Sequence, residues 1–150
     1  FYRELCPIST RFDPEAMAVN GLDRNKLLLD GLTTEEFYTQ FRGWVEDLRE
    51  KYEGEVVFCA YPAVWDWPFV WYYIILHTPV GEKPFVKHSA CTDFKSRYAG
   101  QADALWRRST RSSMPRRLLS AAEHTHNALD DAKEQGDMFW NIATAEHLVD

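Results

Sequence analysis

Between Thr33 and Tyr52 the apolar positions Phe37, Phe41, Trp44, Val45 and Leu48 recur at three- and four-residue intervals, the spacing of one helix face. Thr33 and Glu36 supply a capping box at the start of this stretch, which predicts a helix as far as Tyr52. EVVFCAY, residues 55–61, has a different pattern. It is a short block rich in β-branched and aromatic residues, as in a buried strand, and Pro62 closes it. FVWYYIIL, residues 69–76, is apolar on every side and predicts a buried helix, with Asp66 just ahead of Trp67 and Pro68 in its first turn.

The flanking regions are shorter and more polar. FYRELCPIS reads as an opening strand. FDPEAMAVNGL predicts a short helix from Asp13–Pro14 to Gly21, and DRNKLLLDG a second that also stops at glycine. Pro79, Gly81 and Pro84 mark a loop, after which CTDFKSRYAG predicts one or two helical turns capped near Thr92 or Asp93. RRSTRSSMPRR is a basic connection. The last helix is expected from about Asn127, with Ala128, Ala132, Phe139, Ile142 and Ala143 facing inward. Strands set before and among helices, without repeats or low-complexity tracts, indicate an α/β layer structure.

Composition narrows the function classes. With 150 residues, 45% of them hydrophobic, the chain is the size of one globular domain. Its longest apolar run, Trp65–Leu76, is interrupted by Asp66 and Pro68 and is too short to span a bilayer, so no membrane partner is expected. Cys6, Cys59 and Cys91 are scattered, odd in number and without metal-ligand spacing, which argues against a disulfide framework or a zinc site and suits a cytoplasmic location. The net charge of −6 argues against general duplex coating but leaves room for a local basic groove. Because the chain opens at Phe1 without an initiator methionine, a processed or N-terminally truncated form is expected.

HTHNALDDAKEQ, residues 124–135, raises the question of chemistry. Were 126–131 all helical, five steps of about 100° would set His126 and Asp131 on different faces. With Asn127 as N-cap, His126 lies on the incoming loop and can reach the cleft that Asp131 faces from the helix. A neutral imidazole beside a carboxylate suits metal-assisted hydrolysis, in which the carboxylate holds Mg²⁺ or Mn²⁺ and the imidazole takes a proton from water. Asp66 is the natural second ligand, lying beyond the carboxyl end of a buried strand. Taken singly, Asp66 reads as a helix N-cap, Asp130 and Asp131 as complements of the helix dipole, and His126 as a polar residue at a helix entrance.

HNALDDA resembles the third motif of the DEDDh-type 3′–5′ exonucleases of the ribonuclease H-like superfamily, His-x-Ala-x-x-Asp-Ala. VVFCAYPAVWDWPFV resembles their second motif, a strand, a turn and an aspartate followed by an aromatic and then phenylalanine. FDPEAMAVNGL is similar to the segment before the long helix that leads to the second motif. The resemblance implies a ribonuclease H-like fold, a central mixed β-sheet flanked by helices, in a single exonuclease-like domain over 1–150. It implies two Mg²⁺ or Mn²⁺ ions, His126 as general base, Asp66 and Asp131 as metal ligands, and Asn20 at the pocket for the terminal nucleotide. The substrates expected are single-stranded DNA or RNA 3′ ends. A homo-oligomer or a larger complex is left open.

Two departures stand beside the resemblance. Pro62 occupies a position where many members carry a polar residue. More importantly, the Asp-x-Glu of the first motif is absent: DPE at 13–15 reads as a helix start, so the expected site is short of two carboxylates. The alternative is a catalytically inactive nucleic-acid-binding or assembly module with the same fold. Arg107, Arg108, Arg111, Arg116 and Arg117 crowd between the two motifs, with Arg116 and Arg117 expected to grip a nucleic-acid backbone. Trp65, Trp67 and Trp71 could stack bases, although aromatics at a helix start more often belong to a core.

Overall fold

The computed structural model describes residues 1–122 and 124–146. Three helices lead the chain: α1 (Pro14–Asn20), α2 (Arg24–Asp30) and α3 (Thr34–Tyr52). Asp13 caps α1 by accepting from the Glu15 and Ala16 amides, and Gly21, at φ 66°, ends it in the left-handed region that glycine enters at no steric cost. At Gly31 the requirement is space. A Cβ there would lie 2.4 Å from the Leu27 carbonyl oxygen and 2.6 Å from the Cys6 nitrogen. Cys6 N donates to Leu32 O and Leu32 N to Glu4 O, so the opening segment makes one isolated bridge, Leu5 to Leu32, where a strand was expected. Pro7, which has no N–H, cannot extend that ladder.

The centre of the chain is a βαβ unit. β1 (Phe58–Ala60) and β2 (Cys91–Asp93) pair in parallel, Phe58 with Cys91 and Ala60 with Asp93, and α4 (Ala63–His77) lies on the crossover. The protein is mixed α/β, as expected, and its described sheet has two parallel strands. Asp93 organises the helices before and after it: Oδ2 accepts from Ala63 N at 2.6 Å at the start of α4, and Oδ1 from Ser96 N at 2.6 Å, which caps α5 (Phe94–Gln101). Because Ala63 gains that acceptor, α4 starts three residues before Asp66. Asp66 is therefore a first-turn residue rather than an N-cap, and Pro68 lies inside the helix. The carbonyl that Pro68 cannot serve belongs to Val64, which is exposed and open to water.

Two apolar clusters hold these elements. In the first, Phe41, Val45, Ile74 and Val86 are buried beneath Phe37, Trp44, Phe58, Trp67 and Trp71, with ring pairs such as Phe37–Phe41 at 5.2 Å. Trp67 and Trp71 thus pack against this core while staying partly exposed, whereas Trp65 is largely exposed. The second joins Phe94 and Tyr98 of α5 to Met114, Leu118, and Met138 and Ile142 of α6 (Ala128–Thr144). The basic connection forms three short 3-10 turns, 106–108, 111–113 and 116–118, anchored by buried Ser109, Met114 and Leu118. The inward stripe of α6 also differs from expectation. Glu134, Met138 and Ile142 are its buried residues, while Ala128 and Ala132 are exposed.

Candidate active site

The first turn of α6 sets the geometry. Asn127 Oδ1 accepts from Leu129 N at 3.0 Å and Asp130 N at 3.4 Å, so the helix begins at Ala128 and His126 stays on the loop. His126 has φ 60°, a left-handed conformation that costs a non-glycine residue energy and is often found at functional sites. The adjacent acids diverge. Asp130 is used locally, accepting from Thr125 Oγ1 at 3.1 Å and lying 3.6 Å from Lys133, whereas Asp131 faces a cleft.

That cleft, of about 320 Å³, is lined by Cys59 and Ala60 of β1, Asp66 of α4, and Ala128, Asp131, Ala132 and Gln135 of α6. Three alanines keep it open between the two carboxylates. Gln135 Oε1 accepts from Tyr61 N at 2.9 Å and ties α6 to the end of β1. The Tyr61 hydroxyl donates to the Ser109 carbonyl; burial, reinforced by Tyr98 and Asp93, pushes its pKa up to about 12, so it remains a donor at neutral pH.

Asp131 has an environment in which a cation could be held. Its Oδ1 is buried without a hydrogen-bond partner among the described residues. His124 Nδ1 lies 3.1 Å away, an ion-pair distance without hydrogen-bond alignment. Ligand atoms of His124, His126 and Asp131 fall within 4.8 Å of one another. Asp66 is exposed as a residue, yet partial burial of its carboxyl raises the pKa, and no hydrogen bond or ion pair engages it among the described residues. The clustered donors among the described residues are one carboxylate and two imidazoles, a mixed set that suits Mn²⁺ better than Mg²⁺, and Asp66 lines the same cleft as Asp131 without belonging to that cluster.

Behind Asp131 stands a group that the sequence reading did not single out. Glu134, buried at 3% side-chain exposure, receives His124 Nδ1 at 2.9 Å on Oε2 and the Arg111 guanidinium on Oε1. Glu134 lies one helical turn beyond Asp131, a spacing that puts both on one face. The available signal was the first histidine of HTH, His124, together with an acid three residues after Asp131.

The structure brings Asp66 and Asp131 into one cleft; His126 lies beside Asp131 on the His124 side and, against expectation, is not among the residues that line the cleft. Asn20, exposed at the end of α1, is not among the residues that line this cleft. Arg116 and Arg117 are exposed residues of a 3-10 turn and are not among the residues that line the cleft, whereas Arg111 contacts Glu134 behind Asp131.

Over 135 residues, covering 90% of this chain and 70% of the relative, the sequence is 37% identical to the 3′–5′ DNA exonuclease Cap18 of Escherichia coli. No family model matches the chain. With more than a third of positions shared over almost the whole length, the chain belongs to the family of the 3′–5′ DNA exonuclease Cap18.

Proposed function

We propose that this protein is a metal-dependent exonuclease that removes nucleotides from the 3′ end of single-stranded DNA on a ribonuclease H-like framework. The observation that carries the reading is the buried Asp131 Oδ1, without a hydrogen bond among the described residues, in one cleft with Asp66 and beside His126. Asp66 and Asp131 would hold Mg²⁺ or Mn²⁺, and His126 would take the proton of the attacking water. The cations, when bound, stabilise the charge on the entering and leaving oxygens of the phosphodiester. His126 is suited to its role because the loop keeps it off the helix, free to approach the reacting atoms. Glu134 and Arg111 hold His124 against Asp131, which restricts where that carboxylate can point. DNA is the proposed substrate because the Escherichia coli relative is named for it.

Two cations ordinarily need more than two carboxylates. The lining supplies Asp66 and Asp131, and Asp13 is engaged in capping α1. On this reading two further carboxylates complete the set, the Asp-x-Glu pair that the exonuclease resemblance implies. The test is a 5′-labelled oligodeoxynucleotide with a free or blocked 3′ end, incubated with Mn²⁺ or EDTA. Stepwise shortening only with a free 3′ end and a metal supports the proposal. Shortening that persists in EDTA, or cutting of the blocked strand at internal positions, overturns it. Binding of the strand without any hydrolysis, by protein that includes the Asp-x-Glu pair, would favour the inactive module.

A further inference from the structure

A second pocket, of about 470 Å³, opens between the last turn of α3 and the loop that precedes β2. Trp71, Pro84, Phe85 and Val86 form its apolar surface, and Arg49, Lys83, Lys87 and His88 supply cationic or ionisable groups. It shares no lining residue with the cleft of Asp66 and Asp131. Among the described residues no carboxylate lines it, although the chain carries a net charge of −6. The loop backbone is held in place: Trp67 Nε1 donates to the His88 carbonyl at 3.0 Å, and the Trp71 and His88 rings meet edge-on at 6.2 Å. Lys87 lies 3.5 Å from Glu55 with both side chains more than three-quarters exposed, an ion pair too solvated to fix the lysine. Arg49 and Lys83 have no hydrogen bond or ion pair among the described residues.

We propose that this pocket is a second, non-catalytic subsite for single-stranded DNA, which holds the part of the strand away from the reacting 3′ end. The proposal rests on the exonuclease reading. Its chemistry is that of single-strand recognition: an aromatic and apolar surface against which an unstacked base can lie, ringed by cations for the phosphates on either side. Its volume falls in the range of small-ligand sites. A duplex keeps its base faces stacked and offers nothing to Trp71. An acidic peptide would use the cations and leave the indole without a role.

The test compares long and minimal substrates of the same protein, loaded with Mn²⁺, in the wild type and in an Arg49→Gln/Lys83→Gln/Lys87→Gln variant whose fold is checked by circular dichroism. The long substrate is a fluorescein-labelled oligothymidylate, and the minimal one is the p-nitrophenyl ester of thymidine 5′-monophosphate, too short to span both sites. Affinity for the long strand should fall about tenfold, and the slope of log affinity against log salt should shrink by roughly 0.7 for each cation that meets a phosphate. The KM for the long strand should rise relative to that of the ester. Unchanged affinity and salt slope overturn the subsite, as does an equal loss on both substrates, which would make the pocket part of the catalytic cleft. Competition by polyglutamate as strong as that by unlabelled oligothymidylate also overturns it, in favour of an acidic protein partner. The exonuclease reading fails separately, if the wild type turns over neither substrate.

Discussion

Helices α3 and α4 each carry a carboxylate in the first turn, and the two are treated in opposite ways. Glu36 Oε2 accepts from both the backbone nitrogen and the hydroxyl of Thr33 at 2.8 Å, and those bonds hold its pKa below the ordinary value. Asp66 receives no such bond, and desolvation raises its pKa. Glu36 is spent on folding. Asp66 sits where water is partly excluded, and burial disfavours its charged form. The larger neighbourhoods follow the same division. Around α3 the interior consists of aromatic and aliphatic contacts, whereas α6 buries Glu134 against Arg111 and leaves Asp131 Oδ1 unsatisfied. Polar groups buried at a cost to stability mark the functional side of the molecule.

Four perturbations separate the two sides. The largest effect is expected at His126: replacement by alanine should lower turnover by about 10² to 10⁴, the range for losing a general base, with the thermal midpoint nearly unchanged. Steady-state kinetics beside a melting curve reads both, and a variant that keeps full turnover would remove His126 from the chemistry. Phe41→Ala should do the reverse. It empties a buried ring site in the α3 cluster and should cost about 3–5 kcal/mol by urea denaturation, while the folded fraction keeps its specific activity.

Glu134→Ala falls between these. It leaves the Arg111 cation without its partner; because Arg111 is 41% exposed, water offsets part of the loss and about 1–3 kcal/mol is expected. Turnover should fall as well, since His124 loses its hold, so a loss of stability with turnover intact would confine Glu134 to a structural role. The smallest effect is in the pH dependence. Glu36, with its pKa lowered, contributes stability above its ordinary value of 4.5 that is lost as pH falls through the folded value. Asp66, with its pKa raised, contributes stability below 3.8 that is lost as pH rises through the folded value. Urea midpoints across the acid range should therefore show Glu36→Gln below the wild type and Asp66→Asn above it at neutral pH, both differences closing on acidification. Parallel shifts of the same sign would erase the distinction between the two carboxylates.

What the sequence revealed about the fold depends on how local each cause is. The capping box of Thr33 and Glu36 and the cap at Asn127 act within three residues, so α3, the start of α6 and the loop position of His126 were all legible. The start of α4 was not, because the acceptor for Ala63 N is Asp93, thirty residues downstream. β2 was also hidden: Cys-Thr-Asp has no alternation of its own and becomes a strand only through its register with Phe58–Ala60. In the candidate site, Asp66 and Asp131 stood out through motif spacing, whereas Glu134 looked like one more helix-surface acid. Its burial depends on Arg111, supplied from a 3-10 turn twenty-three residues away that periodicity does not signal.

The central claim, that Asp66 and Asp131 form a divalent-cation site, is tested most directly by Mn²⁺ titration of the isotope-labelled protein, following paramagnetic broadening of backbone amide signals. Broadening should appear first around Asp66 and Asp131, spread to Cys59, Ala60 and Gln135 across the cleft, and disappear in Asp131→Asn while persisting in His126→Ala. Broadening that begins elsewhere, or that survives unchanged in Asp131→Asn, would contradict the account.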